Sequence, residues 1–263
     1  MVKEARARSS RSMPSADSRF LAPLWDLCLE HIGVDTLGHP LFFVIAVITT
    51  VLVAGAVFSF VDVFISGKLP FKQTALYLAI TLPGYLLVFV LLRYLPIEFR
   101  FDVPLLAPSL LELARDLVIC MVVGAVLSYW WHRLEHGSPF VFRHVHYVHH
   151  NVSSPLTVWS GFYVHPVESF CVFITFYIYP FVMQVHPLVF VTYAALNTFI
   201  TMVTHCGYDM RFYPKQLFAS APMHEHHHGR RVPTNFSVLL NLSDRLFGTY
   251  TPFQEQPDAQ SQS

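Results

Sequence analysis

Charge is what this sequence has least of. Asp, Glu, Lys and Arg make up 13% of its 263 residues, against about 25% in a typical soluble domain. So few charges cannot cover an ordinary water-facing surface, and the shortage points to lipid as part of the solvent. The 17 basic and 17 acidic residues balance, so the positive excess that a nucleic-acid partner would call for is missing. The four cysteines, Cys28, Cys120, Cys171 and Cys206, form no C-x-x-C pair. They offer no disulfide framework and read as packing thiols. Residues 1–19 lack the apolar stretch of a secretory signal, and Glu4 and Asp17 argue against a transit peptide. A disordered tail is the expectation there.

What the chain has instead is apolar length. Hydrophobic residues account for 54% of it and aromatics for 15%, with a mean hydropathy of +0.46. From Phe20, the apolar positions Phe20, Leu21, Leu24, Trp25, Cys28 and Ile32 fall near helical spacing. They predict a short helix that lies in the membrane interface or packs on the domain. Leu41 to Ile65 is long enough to cross about 30 Å of hydrocarbon, and Thr74 to Leu95 forms a second such run around Pro83-Gly84. Leu117 to Trp131 becomes a third if the charged turn with Glu112, Arg115 and Asp116 sits among headgroups. Phe170 to Thr204 carries no charged residue and has Pro180 and Pro187 near its middle. It predicts a helical hairpin that returns to the face it left. Three spans ahead of the first clustered histidines put the N-terminus across the membrane from them. The charges beside the spans do not fix the orientation.

Histidine is the outlier. Of 15 in the chain, 13 fall between His132 and His228, and all of these but His186 lie in the polar stretches on either side of the predicted hairpin. They come in groups: His132-x3-His136, His146-x2-His149-His150 and His224-x2-His227-His228, with His205-x3-Asp209 as a fourth i, i+4 pair. On a helix, residues three and four apart share a face. Imidazole suits iron, zinc, copper and nickel, and so many rings are too many for one ion. Two metals are implied. The expected fold is therefore all-α: an integral membrane helical bundle with a histidine-rich polar cap holding a di-metal site. Residues 1–40 would form a tail and interfacial helix, 41–253 the membrane domain with its histidine groups at 132–228, and 254–263 a disordered tail.

The three histidine boxes, in this order, resemble the fatty acid hydroxylase/sterol desaturase superfamily of membrane di-iron oxygenases. Tyr163-Val-His165-Pro-Val-Glu168, His205-Cys-Gly-Tyr-Asp209 and Asp244-Arg-Leu-Phe-Gly-Thr249 extend the likeness toward its C-4 methylsterol oxidase and cholesterol 25-hydroxylase branch. The resemblance implies that His132, His136, His146, His149, His150, His205, His224, His227 and His228 ligate iron, with His165 and Asp209 as further ligands or supports. Glu135, Glu168 and Asp244 are the acidic groups able to orient ligand rings. His144 and His226 lie off the shared faces. The implied chemistry uses two irons, O2 and two external electrons to oxidise a lipid C–H bond, with a sterol as the substrate. Cytochrome b5 or a reductase would be the donor, and the endoplasmic reticulum the location, with the histidine side facing the cytosol. Hydroxylation, successive oxidation and desaturation share a first hydrogen abstraction, and the sequence does not choose among them.

Two other readings compete. His224-Glu225-x-x-His228 also fits the H-E-x-x-H pattern, in which glutamate serves a zinc peptidase as general base; it leaves the first two boxes without a purpose. A lipid-binding or metal-storing relative without turnover would keep all the boxes.

Overall fold

Backbone polar groups in an apolar stretch must be satisfied within the chain, and a helix does this residue by residue. The computed structural model describes residues 18–66, 71–94, 101–152, 156–230 and 234–252. The long elements are α1 (Ser18–His31), α2 (Pro40–Ser66), α3 (Phe71–Tyr94), α4 (Leu110–Gly137), α5 (Pro166–Val182) and α6 (Pro187–His205). Two shorter helices follow, α7 (Ala221–Arg230) and α8 (Leu242–Leu246). Among the described residues there is no strand, only an isolated bridge between Phe218 and Leu240. Of the tails expected at 1–19 and 254–263, residues 1–17 and 254–263 lie outside the described residues, whereas Ser18 and Arg19 belong to the first helix.

The apolar runs became helices with small changes of boundary. The third differs most: Leu117–Trp131 is the middle of a 28-residue helix. Its start is set by Ser109, whose Oγ accepts from Glu112 N while Glu112 Oε2 accepts from Ser109 N at 2.8 Å. This reciprocal capping box draws the charged turn into α4. The uncharged run breaks into α5 and α6 at Met183–His186, where Gln184 turns the chain at φ 47. His186 caps α6, its Nδ1 accepting from Leu188 N at 3.1 Å. Glu168 near the start of α5 and His205 at the end of α6 lie in the same histidine-rich region, so the run returns to where it began.

Helix α2 packs on α6, and α5 packs on both α3 and α4. Phe43, Phe101, Phe190, Tyr177 and Tyr193 form the centre of the core. Phe43 meets Phe101 and Phe190 with ring centroids 4.1 and 4.6 Å apart. Helix α1 docks on the bundle through Trp25 and Leu29, with the indole N–H donating to Pro104 O at 2.9 Å. Its Phe20, Leu24 and Leu27 remain exposed. The outward faces are apolar as well, including Ile45, Val57, Phe60 and Phe64 on α2 and Leu111 and Val118 on α4. Pro40–Phe64 and Pro187–His205 are long and apolar enough to cross a membrane.

Candidate metal centre

Four segments bring histidines together. The last turns of α4 supply His132 and His136. The helical segment that follows supplies His146, His149 and His150, through a π-helical turn at Phe142–His146 and a helical turn at Tyr147–His150. His205 closes α6, and α7 supplies His224, His227 and His228. All of them are buried except His136, which is half-buried.

The nine rings fall into two groups, each with its candidate ligand atoms within 4.8 Å of one another: His132, His136, His146, His150 and His227, and then His149, His205, His224 and His228. Each i, i+4 pair stays together, whereas the i+3 member of each H-x2-HH box crosses to the other group. His149 leaves His146 and His150 for the group of His224 and His228, and His227 makes the opposite crossing. The two groups adjoin, with the His150 and His228 rings stacked at 4.5 Å.

Outer contacts decide which nitrogen faces inward. His132 Nδ1 meets Phe236 O at 2.7 Å, His205 Nδ1 meets Thr201 O at 2.8 Å, and His227 Nδ1 meets Thr234 O at 2.8 Å. Carbonyls only accept, so each Nδ1 carries the proton and each Nε2 keeps a lone pair. The Nε2 atoms of His132 and His205 are buried and without a hydrogen-bond partner. His146 Nδ1 is held by Glu168 Oε1 at 2.8 Å, and its Nε2 lies 3.0 Å from His136 Nε2. His228 Nε2 lies 3.1 Å from both His149 Nε2 and His224 Nε2. At such separations one neutral ring can donate to the next, or a cation can lie between two lone pairs. Two nitrogens about 2.1 Å from one ion and at right angles to each other stand about 3 Å apart, which matches these separations. Burial first, then neighbouring histidines, hold His149, His150, His224 and His228 below the ordinary imidazole value. They stay neutral, the form that binds metal. The donor set fits two imidazole-bound ions.

Asp244 acts on this centre through the backbone. Its carboxylate, 1% exposed, accepts from Phe236 N at 2.9 Å, Ser237 N at 2.8 Å and Thr249 Oγ1 at 2.7 Å. The motif from Asp244 to Thr249 therefore fixes the stretch whose Phe236 carbonyl orients His132. Glu135 and Glu168 converge on His146 instead, at 3.5 and 2.8 Å. Burial raises both carboxyls well above the usual range, and the charge of Glu135 raises Glu168 further.

Other residues stand apart from the two groups. His205 and Asp209 do not share a helical face, because α6 ends at His205 and Gly207 turns the chain at φ +76. A Cβ at Gly207 would also collide with Leu156 O. Asp209 is exposed and pairs with Lys215. His165 caps α5, with Nδ1 accepting from Val167 N at 3.2 Å. His144 is exposed against Phe140, and His226 is half-buried outside both groups. Glu225 precedes His228 by three residues, the spacing of carboxylate di-iron bundles, yet it joins neither group.

Gly161 lies against the His205 ring: a Cβ there would sit 2.6 Å from Nδ1 and 2.9 Å from Cγ and Cε1. The ring is tied to Thr201 O and has little freedom to yield. Gly161→Ala is therefore expected to weaken metal loading of the four-histidine group while leaving the other group loaded, as read by metal analysis of purified protein. Equal loading of both groups would show that the ring has room to move.

Residues 117–249, half of the chain and all nine clustered histidines, match the fatty acid hydroxylase family. The chain belongs to that family. Among its relatives is a cholesterol 25-hydroxylase-like protein of Caenorhabditis elegans, 28% identical over 92% of this chain and 87% of that protein. Methylsterol monooxygenase 1-1 of Arabidopsis thaliana is 28% identical, covering 58% of this chain and 52% of its own length. A very-long-chain aldehyde decarbonylase of Oryza sativa subsp. japonica is 31% identical, covering 54% and 48%. No solved structure matches the chain. In this member of the fatty acid hydroxylase family, the matched stretch begins in α4 and ends at Thr249, the residue that Asp244 holds.

A cavity opens beside the histidines, with about 850 Å³ of empty space, part of it open to the surface. His132, His146, His149 and His205 line it together with Glu135 and Glu168. The rest of its wall is largely apolar, including Val51, Phe173 and Phe176.

Proposed function

We propose that the chain is a membrane-embedded, iron-dependent oxygenase that oxidises a C–H bond of a lipid, a sterol, at a C-4 methyl group or in the side chain. The observation that carries this reading is the convergence of nine histidines in two groups beside a largely apolar cavity. Family membership and relatives named for sterol hydroxylation and monooxygenation support an oxidoreductase. The exposed apolar faces of α2 and α4 support embedding in lipid.

Two iron ions, when bound, supply the activation of O2 with two electrons from an external donor, and with it the removal of hydrogen from an unactivated C–H bond. The remaining work falls to the chain. His132, His136, His146, His150 and His227 would hold one ion, and His149, His205, His224 and His228 the other. The carbonyls of Phe236, Thr234 and Thr201 and the carboxylate of Glu168 fix the rings, so the ligand lone pairs need not reorganise. Val51, Phe173 and Phe176 exclude water and align the lipid. The donor, cytochrome b5 or a reductase, would reach the histidine-rich cap from the cytosolic side of the endoplasmic reticulum.

Purified protein loaded with ferrous iron in nanodiscs, supplied with cytochrome b5, its reductase and labelled O2, should add one labelled oxygen to the sterol. No labelled product from protein carrying two irons would overturn the reading. Glu225 separates it from a zinc peptidase, which needs that carboxylate as its general base. Glu225→Gln is expected to keep both metals and most of the lipid oxidation. Lost activity with a single zinc retained would favour the peptidase.

A further inference from the structure

The cavity carries a polar group that the metal chemistry does not use. Asn197 lies inside α6, 3% exposed, and lines the cavity together with Tyr177 and Thr198. Its Nδ2 donates to Tyr177 Oη at 3.2 Å, whereas its Oδ1 has no hydrogen-bond partner. A buried amide oxygen left unpaired is costly, and more so inside an uncharged helix long enough to span a membrane. A ligand hydroxyl can donate to Oδ1. It also fits the opposite orientation of the amide, because a hydroxyl accepts as well as donates. A ketone would fit only one orientation. A carboxylate or phosphate would require a cation, and the described lining holds no Lys or Arg.

Distance along the helices adds a second constraint. Asn197 stands eight residues before His205 on α6, about 12 Å at 1.5 Å per residue. Tyr177 stands nine residues beyond Glu168 on α5, about 13 Å on the same measure. Both rulers put the Asn197–Tyr177 pair at the same remove from the histidines and their carboxylate. A C-4 methyl carbon is three bonds from the 3-hydroxyl oxygen of a sterol, a reach of under about 4.5 Å. The sterol side chain lies at the other end of the molecule from that hydroxyl.

We infer that Asn197 anchors the hydroxyl group of a lipid alcohol about two helical turns along α6 from His205, and so places the oxidised carbon in the side chain of a sterol and not at C-4. This deepens the proposed function and rests on it for the oxidation step; the anchoring itself does not. The cavity then measures its substrate between an amide at one end and the metal site at the other.

The test is binding and regiochemistry on iron-loaded full-length protein in nanodiscs, with cholesterol and its deoxy counterpart cholest-5-ene as probes. The wild-type protein should bind cholesterol at least about tenfold more tightly, the scale of one buried hydrogen bond and an avoided orphan, and should oxidise it in the side chain. In Asn197→Leu the binding ratio should fall to about one. Asn197→Gln keeps the amide but extends it by one carbon. It should retain part of the preference and change the distribution of oxidised positions, and so serves if the leucine variant does not fold. Equal wild-type binding of the two lipids would overturn the anchor, whether or not either is oxidised. Oxidation at a C-4 methyl group would overturn the ruler. Hydroxyl-selective binding that depends on Asn197 without any oxidation would leave the anchor standing and count against the oxygenase reading alone.

Discussion

His149→Ala and His150→Ala, adjacent in sequence, should have unequal effects on metal content. His149 belongs to the group of four, so its loss leaves three histidines, His205, His224 and His228, for that ion. His150 belongs to the group of five and leaves four behind. We therefore expect His149→Ala to fall from two metals per chain to one, with lipid oxidation at background. His150→Ala should keep two, the second held more weakly, with reduced turnover. Metal analysis after gel filtration reads the difference directly. An identical loss in both variants would mean that the H-x2-HH box serves one ion as a unit, and the crossing of the i+3 histidines would carry no meaning.

The second large effect belongs to a residue that meets no histidine side chain. Asp244→Ala would strip acceptors from two buried backbone N–H groups, those of Phe236 and Ser237, and from the Thr249 hydroxyl. Hydrogen bonds to a charged group contribute about 1.5–3 kcal/mol each, and orphaned buried donors add to the loss. Allowing for non-additivity, the cost is of the order of 5 kcal/mol, a large share of the ordinary stability of a folded domain. For a chain of this size that corresponds to a fall in Tm of about 10–20 °C. Because Phe236 O orients His132, metal retention in the five-histidine group should fall as well. Asp244→Asn keeps one acceptor and should lie between. A shift of only about 2 °C with metal retained would mean that the loop stands without the aspartate.

Sequence patterns exposed the long helices because a long apolar run with at most one charge has few alternatives. The expected span Leu41–Ile65 became Pro40–Ser66. The histidines were visible because three boxes repeat one spacing. Their division between two groups was not, since i+3 and i+4 neighbours lie close together on a helix and only the approach of other segments tells them apart. Asp209 misled for a local reason: the i, i+4 reading assumes a helix that Gly207 ends. His165 carried a signal that helical-face counting passes over. It is followed by Pro166, as His186 is by Pro187, and both histidines prove to be N-caps before a proline at the first helical position. Asn197 could have been noticed as an amide in an uncharged 35-residue run, but its open oxygen required the packing of α6 against its neighbours. The supporting carbonyls of Phe236, Thr234 and Thr201 belong to the backbone, and no side-chain pattern announces them. The same limit holds for Asn235 and Asn241, which match the N-x-S/T pattern. Both are buried, with amides donating to Thr251 O and Phe218 O, and so serve the packing of the loop.

The nine histidines are expected to hold two metal ions through nitrogen. X-ray absorption at the iron edge, combined with metal-to-protein stoichiometry on the purified full-length chain, tests this most directly. Two irons per chain are expected, with scattering dominated by directly bound imidazole nitrogen and the outer-ring signal of several histidines per iron. One metal per chain, or ligation mostly by carboxylate oxygen or sulfur, would contradict this.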